Sequence, residues 1–216
     1  MSPLRFRYRT IEFGDTDIHV KTLRDKQQFA GDAEATAGLG ISSATWPLFG
    51  VIWPSGEVLA RLMSHYDVQG KKILEVGCGI GLASLVLNHR MADLTATDHH
   101  PEVASFLSIN TALNADPEIR FVRTAWSDSN TELGEFDLII GSDVLYDRDH
   151  AEQLAGFIDD HAMLQCEVII VDPGRHQQGR FRKQMARRGY AYVEILSNEK
   201  EMLSQPFAGR IMSFRK

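Results

Sequence analysis

Cysteine is scarce in this 216-residue chain: Cys78 and Cys166 stand far apart, with neither the spacing of a metal site nor that of a redox pair. That excludes a disulfide scaffold and leaves two reduced thiols as the expectation. Long apolar runs are also missing. No stretch approaches the ~20 residues a membrane-spanning helix needs, and Met1-Ser2-Pro3-Leu4-Arg5-Phe6 lacks the apolar core of a signal peptide. A soluble, cytoplasmic protein is expected. An overall excess of basic residues is absent too, the net charge being −6. Residues 175–216 carry ten Lys/Arg against three Asp/Glu, whereas residues 1–174 carry thirteen against twenty-six. An acidic body with a basic tail disfavours nucleic acid as the main partner, because affinity for phosphate backbones comes largely from Lys and Arg. No internal repeat or low-complexity segment is seen.

What is present is 44% hydrophobic content, enough for one domain with a full core. Residues 1–23 alternate as a β-hairpin does, with Leu4, Phe6 and Tyr8 on one face, Arg5, Arg7 and Arg9 opposite, a Gly14-Asp15 turn and a return through Ile18 and Val20. Residues 24–45 are rich in Gly and Ala without periodicity and read as an irregular connection. The cofactor-binding core is then expected over residues 46–216. Ser55 looks like the cap of a helix carrying Val58, Leu59, Leu62, Met63 and Tyr66. From residue 71 strands are expected at 72–76, 94–98, 119–123, 136–141, 167–172, 190–196 and 209–215, with helices near 82–90, 102–113, 149–163 and 178–188. This alternation predicts an α/β fold with a doubly wound, mostly parallel seven-stranded sheet, the last two strands forming an antiparallel pair at one edge.

The chemistry starts at Lys71 to Gly81, a short apolar strand that breaks into Gly77, Cys78, Gly79, Ile80 and Gly81 before a helix begins at Leu82. Such a loop lets backbone approach a ligand closely. A dinucleotide fingerprint would place its third glycine at position 82, which is Leu82. Glu75, just before the loop, suits the ammonium and sulfonium charges of S-adenosylmethionine better than a pyrophosphate. Asp98 ends the second strand of the unit, where a carboxylate accepts both ribose hydroxyls. Trp126 offers an aromatic face where adenine should lie, and Trp53 a pocket wall. His99 and Ser142 are counted with these cofactor-lining positions, although His99 and His100 also read as solvent-facing loop histidines that point apart.

Trp53-Pro54 before a helix, Glu75-Val76-Gly77-Cys78-Gly79-Ile80-Gly81, and Asp143-Val144-Leu145-Tyr146 after the fourth strand together resemble the seven-β-strand methyltransferases, and more narrowly the lysine methyltransferases called methyltransferase family 16. The resemblance runs from about Trp46 to the end. It implies a Rossmann-like methyltransferase fold and S-adenosylmethionine as methyl donor. It maps Trp53, Glu75, Gly77, Asp98 and Trp126 onto cofactor-binding positions, and Asp143 and Tyr146 onto the substrate-side motif, where they are the candidate catalytic residues.

A lysine amine with a reference pKa near ~10.4 is only ~0.1% neutral at physiological pH, a deficit of roughly 4 kcal/mol. An acid at position 143 attracts the cationic side chain yet also favours its ammonium form, so Asp143 is assigned to orientation rather than to simple base catalysis. The expected activity is methylation of a protein lysine. The alternatives are a small-molecule N- or O-methyltransferase and a non-catalytic cofactor-binding interaction protein. Ser142-Asp143-Val144-Leu145-Tyr146 lacks the prolines of the Asn-Pro-Pro-Tyr nucleic-acid amino-methyltransferases. Asp143, Asp147, Asp149 and His150 match no metal-cage spacing, so no metal is expected. The basic run Arg180 to Arg188 puts Phe181 and Met185 on a packing face and its charges on a solvated one, with docking of an acidic partner as the sharper alternative.

Overall fold

The computed structural model describes residues 4–26, 41–42, 45–128, 132–147, 149–195 and 207–216. Most of the 24–45 connection, and most of the segment that joins the last two strands, lie outside these residues. Strands β1 (Phe6–Phe13) and β2 (Thr16–Leu23) form a separate antiparallel hairpin. Its turn is at Gly14, whose φ of +63° favours a residue without Cβ. The alternation in β1 does not select the buried face as expected. Tyr8 is 66% exposed, and burial is carried by Ile18, Val20 and Leu23 of β2. The cause lies in β2's outer edge: the N–H and C=O groups of His19 and Lys21 bond to the side-chain amides of Asn114 and Asn110, so β2 lies on the domain and β1 lies outside it.

The main sheet is built from β3 (Lys72–Val76), β4 (Asp93–Asp98), β5 (Arg120–Arg123), β6 (Phe136–Ser142), β7 (Ala162–Asp172), β8 (Ala191–Ile195) and β9 (Arg210–Arg215), in the order β5-β4-β3-β6-β7-β9-β8. The first five are parallel. β9 inserts antiparallel between β7 and β8, which gives the expected antiparallel pair at that edge. Helices α1 (Pro54–His65), α2 (Leu82–His89), α3 (Val103–Leu113), α4 (His150–His161) and α5 (Gln178–Arg187) connect and cover the strands. Two apolar clusters flank the sheet, one holding Ile73, Leu138 and Leu59, the other Leu74, Ile139 and Phe157. Neighbouring residues of each strand therefore face opposite layers, as a doubly covered sheet requires.

Boundaries match the sequence expectation to within about two residues except at β7. It begins at Ala162, where the strand was expected from 167, because Ala162 already pairs with Phe136 across a register shift. The α1 cap differs as well. Trp53 is the N-cap and Pro54 the first helical residue, the position where a missing N–H costs nothing, so Ser55 lies inside the first turn and is free for other work. On α5, Phe181 and Met185 are fully buried, as the sequence pattern anticipates.

Candidate functional site

The strand order reverses beside β3, between β4 on one side and β6 on the other, and ligands in open α/β sheets lie at the carboxyl ends of such strands. A cavity of about 680 Å³ opens there. Eleven of the twelve residues assigned from sequence to the site line it, namely Trp53, Glu75, Gly77, Cys78, Gly79, Asp98, His99, Trp126, Ser142, Asp143 and Tyr146, whereas Gly81 is set back at the helix start beside the lining residues Ile80 and Leu82.

The first half of the site is made mostly of backbone. Gly77, Gly79 and Gly81 all have φ between +53° and +71°. A Cβ on Gly77 would stand 2.8 Å from Val144, and one on Gly79 would stand 3.0 Å from the carbonyl oxygen of Phe49. The loop is tied to the next strand, since Cys78 N–H donates to Thr97 O (3.0 Å) and Gly79 N–H to Asp98 Oδ2 (2.9 Å). The other oxygen of Asp98 accepts His100 N–H at 2.9 Å. Thus Asp98 fixes two loops while its remaining lone pairs face the cavity it lines.

Glu75 is 3% exposed and closes the N-terminus of α2. Its Oε2 accepts the Ser84 N–H at 2.9 Å and, in a short bond, the Ser84 hydroxyl. Burial raises its pKa from 4.5 to about 7 against the lowering effect of the Ser84 bonds, with Asp98 adding to the rise. The sequence reading of Glu75 as a cofactor group missed this helix-capping contact. Burial, reinforced by Asp98 and Glu75, pushes the Cys78 thiol well above its ordinary value, so it is an inert wall group.

His99 keeps a half-open position, its Nδ1 3.6 Å from Asp98 Oδ1. His100 does not face solvent as expected. It is buried, stacked on Phe49 at 4.1 Å and edge-on to Trp46, and desolvation lowers its pKa to about 4. The covering residues come from the short 3-10 turn at Trp46–Gly50, distant in sequence, so nothing near His100 signals its burial. Trp46 is core, while Trp53 lines the cavity and donates its indole N–H to Leu48 O at 2.9 Å.

The second half is made of side chains. Asp143 follows β6 with φ +58°, a strained region for a residue with Cβ, and its N–H is bonded to Val171 O at 2.9 Å. Its Oδ1 receives Nε (2.8 Å) and Nη2 of Arg175, and its Oδ2 accepts the Ser55 hydroxyl at 3.3 Å. Tyr146 is 48% exposed at the rim, so it does not fill the core. It packs edge-on against His150 (4.4 Å), which in turn meets Trp126 at 5.0 Å, giving one aromatic wall. Desolvation lowers the pKa of His150 and raises that of Tyr146, so both are neutral near pH 7. Sequence reasoning missed Arg175, Ser55 as an Asp143 partner and His150 as a wall residue; Arg175, next to the turn-forming Pro173-Gly174, carried the one local signal. Among the described residues no group of three or more His, Cys, Asp or Glu is placed to hold a metal ion, and no helix is long and apolar enough to cross a membrane.

A family model described as lysine methyltransferase matches residues 43–188, more than half of the chain. The electron transfer flavoprotein beta subunit lysine methyltransferase of Rattus norvegicus is 33% identical over 142 residues, covering 61% of this chain and 52% of that protein. The chain spans about half the length of the curated relatives it matches. Among solved structures, the Thermus thermophilus 16S rRNA N2 G1207 methyltransferase in complex with AdoMet and guanosine aligns with a TM-score of 0.67 at 15% identity, over 100% of this chain and 51% of that one. A ribosomal protein L11 methylase from Lactobacillus delbrueckii subsp. bulgaricus aligns with a TM-score of 0.55 at 21% identity, over 73% of this chain and 75% of that one. Both likenesses concern the fold.

Proposed function

We propose that this chain, which belongs to the lysine methyltransferase family, transfers a methyl group from S-adenosylmethionine to the side-chain amine of a lysine in a protein. The observation that carries the reading is that the glycine loop with Asp98 and the Asp143–Tyr146 segment line one cavity. The residues fit the donor. Gly77 and Gly79 leave a cradle that a Cβ would fill, Asp98 offers carboxylate lone pairs for a ribose, Trp126 and Trp53 give apolar faces for an adenine, and Glu75 supplies an acid for a cationic amino-acid moiety. Cys78, His99 and Ser142 complete that wall. When bound, S-adenosylmethionine supplies an electrophilic methyl on a sulfonium.

The protein's own contribution is alignment and water exclusion. Asp143 orients the incoming amine, and Tyr146 packs beside its aliphatic stem at the rim. No side chain needs to form a covalent bond. The amine loses its proton to water before transfer, because only the neutral nitrogen has a lone pair. We read the described residues as one domain and place the protein in the cytoplasm, with a protein as its partner. The β subunit of an electron transfer flavoprotein is the first substrate to assay, since a relative is named for it.

The test is incubation with tritiated S-adenosylmethionine and a cell lysate, separating protein, nucleic acid and small molecules, beside the same assay of Asp143→Asn. Label in a protein band that disappears in the variant is the expected result. Label confined to small molecules or nucleic acid overturns the lysine reading, and calorimetry without donor binding overturns the methyltransferase reading altogether.

A further inference from the structure

We propose that Arg175 is a positioning residue that cancels the charge of Asp143, so that the pocket binds the substrate's amine in its neutral, reactive form. This rests on the lysine reading of the site. Among the described residues that line the cavity, Arg175 is the single guanidinium or ammonium, whereas Glu75, Asp98, Asp143 and Asp147 are all acids. Without a countercharge, these carboxylates would hold a primary amine as its ammonium, raising its pKa where transfer needs it lowered.

Among the described residues, the other titratable groups around the pair do not supply that charge. His100 and His150 are kept neutral by burial, Tyr146 is kept protonated, Glu75 only adds negative charge above about pH 7, and His99 faces Asp98, its Nδ1 3.6 Å from Oδ1.

The guanidinium is built in rather than swinging. Asp172, fully buried at the end of β7, uses one carboxylate oxygen to accept the N–H groups of Gly174 (2.8 Å) and Arg175 (2.7 Å) together with the Gln178 amide. Gly174, at φ +105°, allows the chain to turn around that oxygen. From this tied loop Arg175 sends both Nε and Nη2 to Oδ1 of Asp143, and its guanidinium carbon lies 6.0 Å from the ring centre of Tyr146. Oδ2 carries only the longer Ser55 contact among the described residues. The carboxylate is thus neutralised on one oxygen and left able to orient an amine with the other.

The experiment titrates a lysine-stem probe, n-butylamine labelled with ¹³C at the carbon next to nitrogen, bound to the protein with saturating S-adenosylhomocysteine, and reads the amine's pKa by NMR. In the wild type the bound amine is expected to titrate at least one unit below the free amine. In Arg175→Gln it titrates at or above the free value, and Arg175→Lys, which keeps the charge, restores most of the depression. Each unit is a tenfold change in neutral amine at a given pH. On a protein substrate, the acid limb of the kcat profile, which reports ionisations in the enzyme–substrate complex, moves to higher pH in Arg175→Gln by the same amount, a shift that a merely loosened loop would not produce. An equal bound pKa in wild type and Arg175→Gln, or no binding of the amine to the wild type at 100 mM, overturns the proposal. A lysate assay that labels no protein would defeat the lysine reading, while the amine titration still decides the role of Arg175.

Discussion

The two halves of the cavity are held in opposite ways. On the β3–β4 side a ligand meets main chain: glycines in left-handed conformations, N–H groups pinned to Asp98, and a helix start closed by Glu75. On the β6–β7 side it meets a carboxylate suspended between Arg175 and Ser55, with aromatic rings beyond. A backbone cradle suits a ligand that never changes. Side chains on three different elements can be retuned for different acceptors without disturbing the donor site. The difference implies that variants on the first side should register as lost donor binding or stability, and variants on the second as lost transfer with donor binding intact.

The largest expected effect tests the second half. Asp143→Asn keeps size and tolerates the positive φ, but removes the charge that orients the amine. Transfer should fall by about 10³-fold, equivalent to about 4 kcal/mol, with S-adenosylmethionine affinity by calorimetry changed less than threefold. An equal loss of donor binding would mean that the two halves are not separable.

Next comes Glu75, where stability and binding should move in opposite directions. Its folded pKa of about 7 lies above the 4.5 of an unperturbed carboxyl. The folded state therefore holds the proton more tightly, and stability from this group is full below pH 4.5 and is lost as pH rises through 7. Glu75→Gln keeps an acceptor for Ser84 and removes the buried charge. It should match wild type near pH 4.5 and exceed it by about 3 kcal/mol above pH 7, at about 1.4 kcal/mol per unit, while binding the cationic donor about tenfold more weakly. His100 acts in the contrary sense, its pKa of about 4 lying below 6.5, so that its contribution is lost as pH falls from 6.5 to 4. The difference between variant and wild type in thermal or urea unfolding, rather than the bare pH profile, is therefore the measurement.

Gly79→Ala probes the cradle itself. The new Cβ meets Phe49 O at 3.0 Å and sits at φ +53°. A left-handed alanine costs about 1–2 kcal/mol, and the close approach brings the total to about 2 kcal/mol. Melting temperature and donor affinity should both drop, whereas kcat at saturating donor should hold within threefold.

The same division explains what could be read from the chain. The glycine loop was legible because each constraint acts over a few residues: an apolar strand, then positions that need φ above zero, then a helix. Strand and helix spans were legible for the same reason, and β7 departs because its early pairing with Phe136 depends on a partner strand. Asp143 stood out as part of a motif, but its partners did not, since Arg175 is 32 positions later and Ser55 is 88 positions earlier. Only the strand order brings them together. His100 and the hairpin mislead for a related reason: the groups that bury one and expose the face of the other come from distant segments.

Ser55→Ala should give the smallest effect and the sharpest comparison. Ser55 is fully buried in the first turn of α1, and its hydroxyl reaches Asp143 Oδ2 at 3.3 Å, long for an O–H donor. Losing so long a bond should cost about 0.5–1 kcal/mol, a two- to fivefold drop in kcat/KM. Donor affinity should not change, because among the described residues the Ser55 hydroxyl bonds to Asp143 and not to the glycine loop. Since Ser55 and Arg175 hold opposite oxygens of one carboxylate, the double variant with Arg175→Gln should lose more than the sum of the single losses, as expected for groups that share a partner. Strict additivity would mean that each residue acts on the substrate separately, and Asp143 would then be fixed by its own backbone bond to Val171 rather than by the side chains around it.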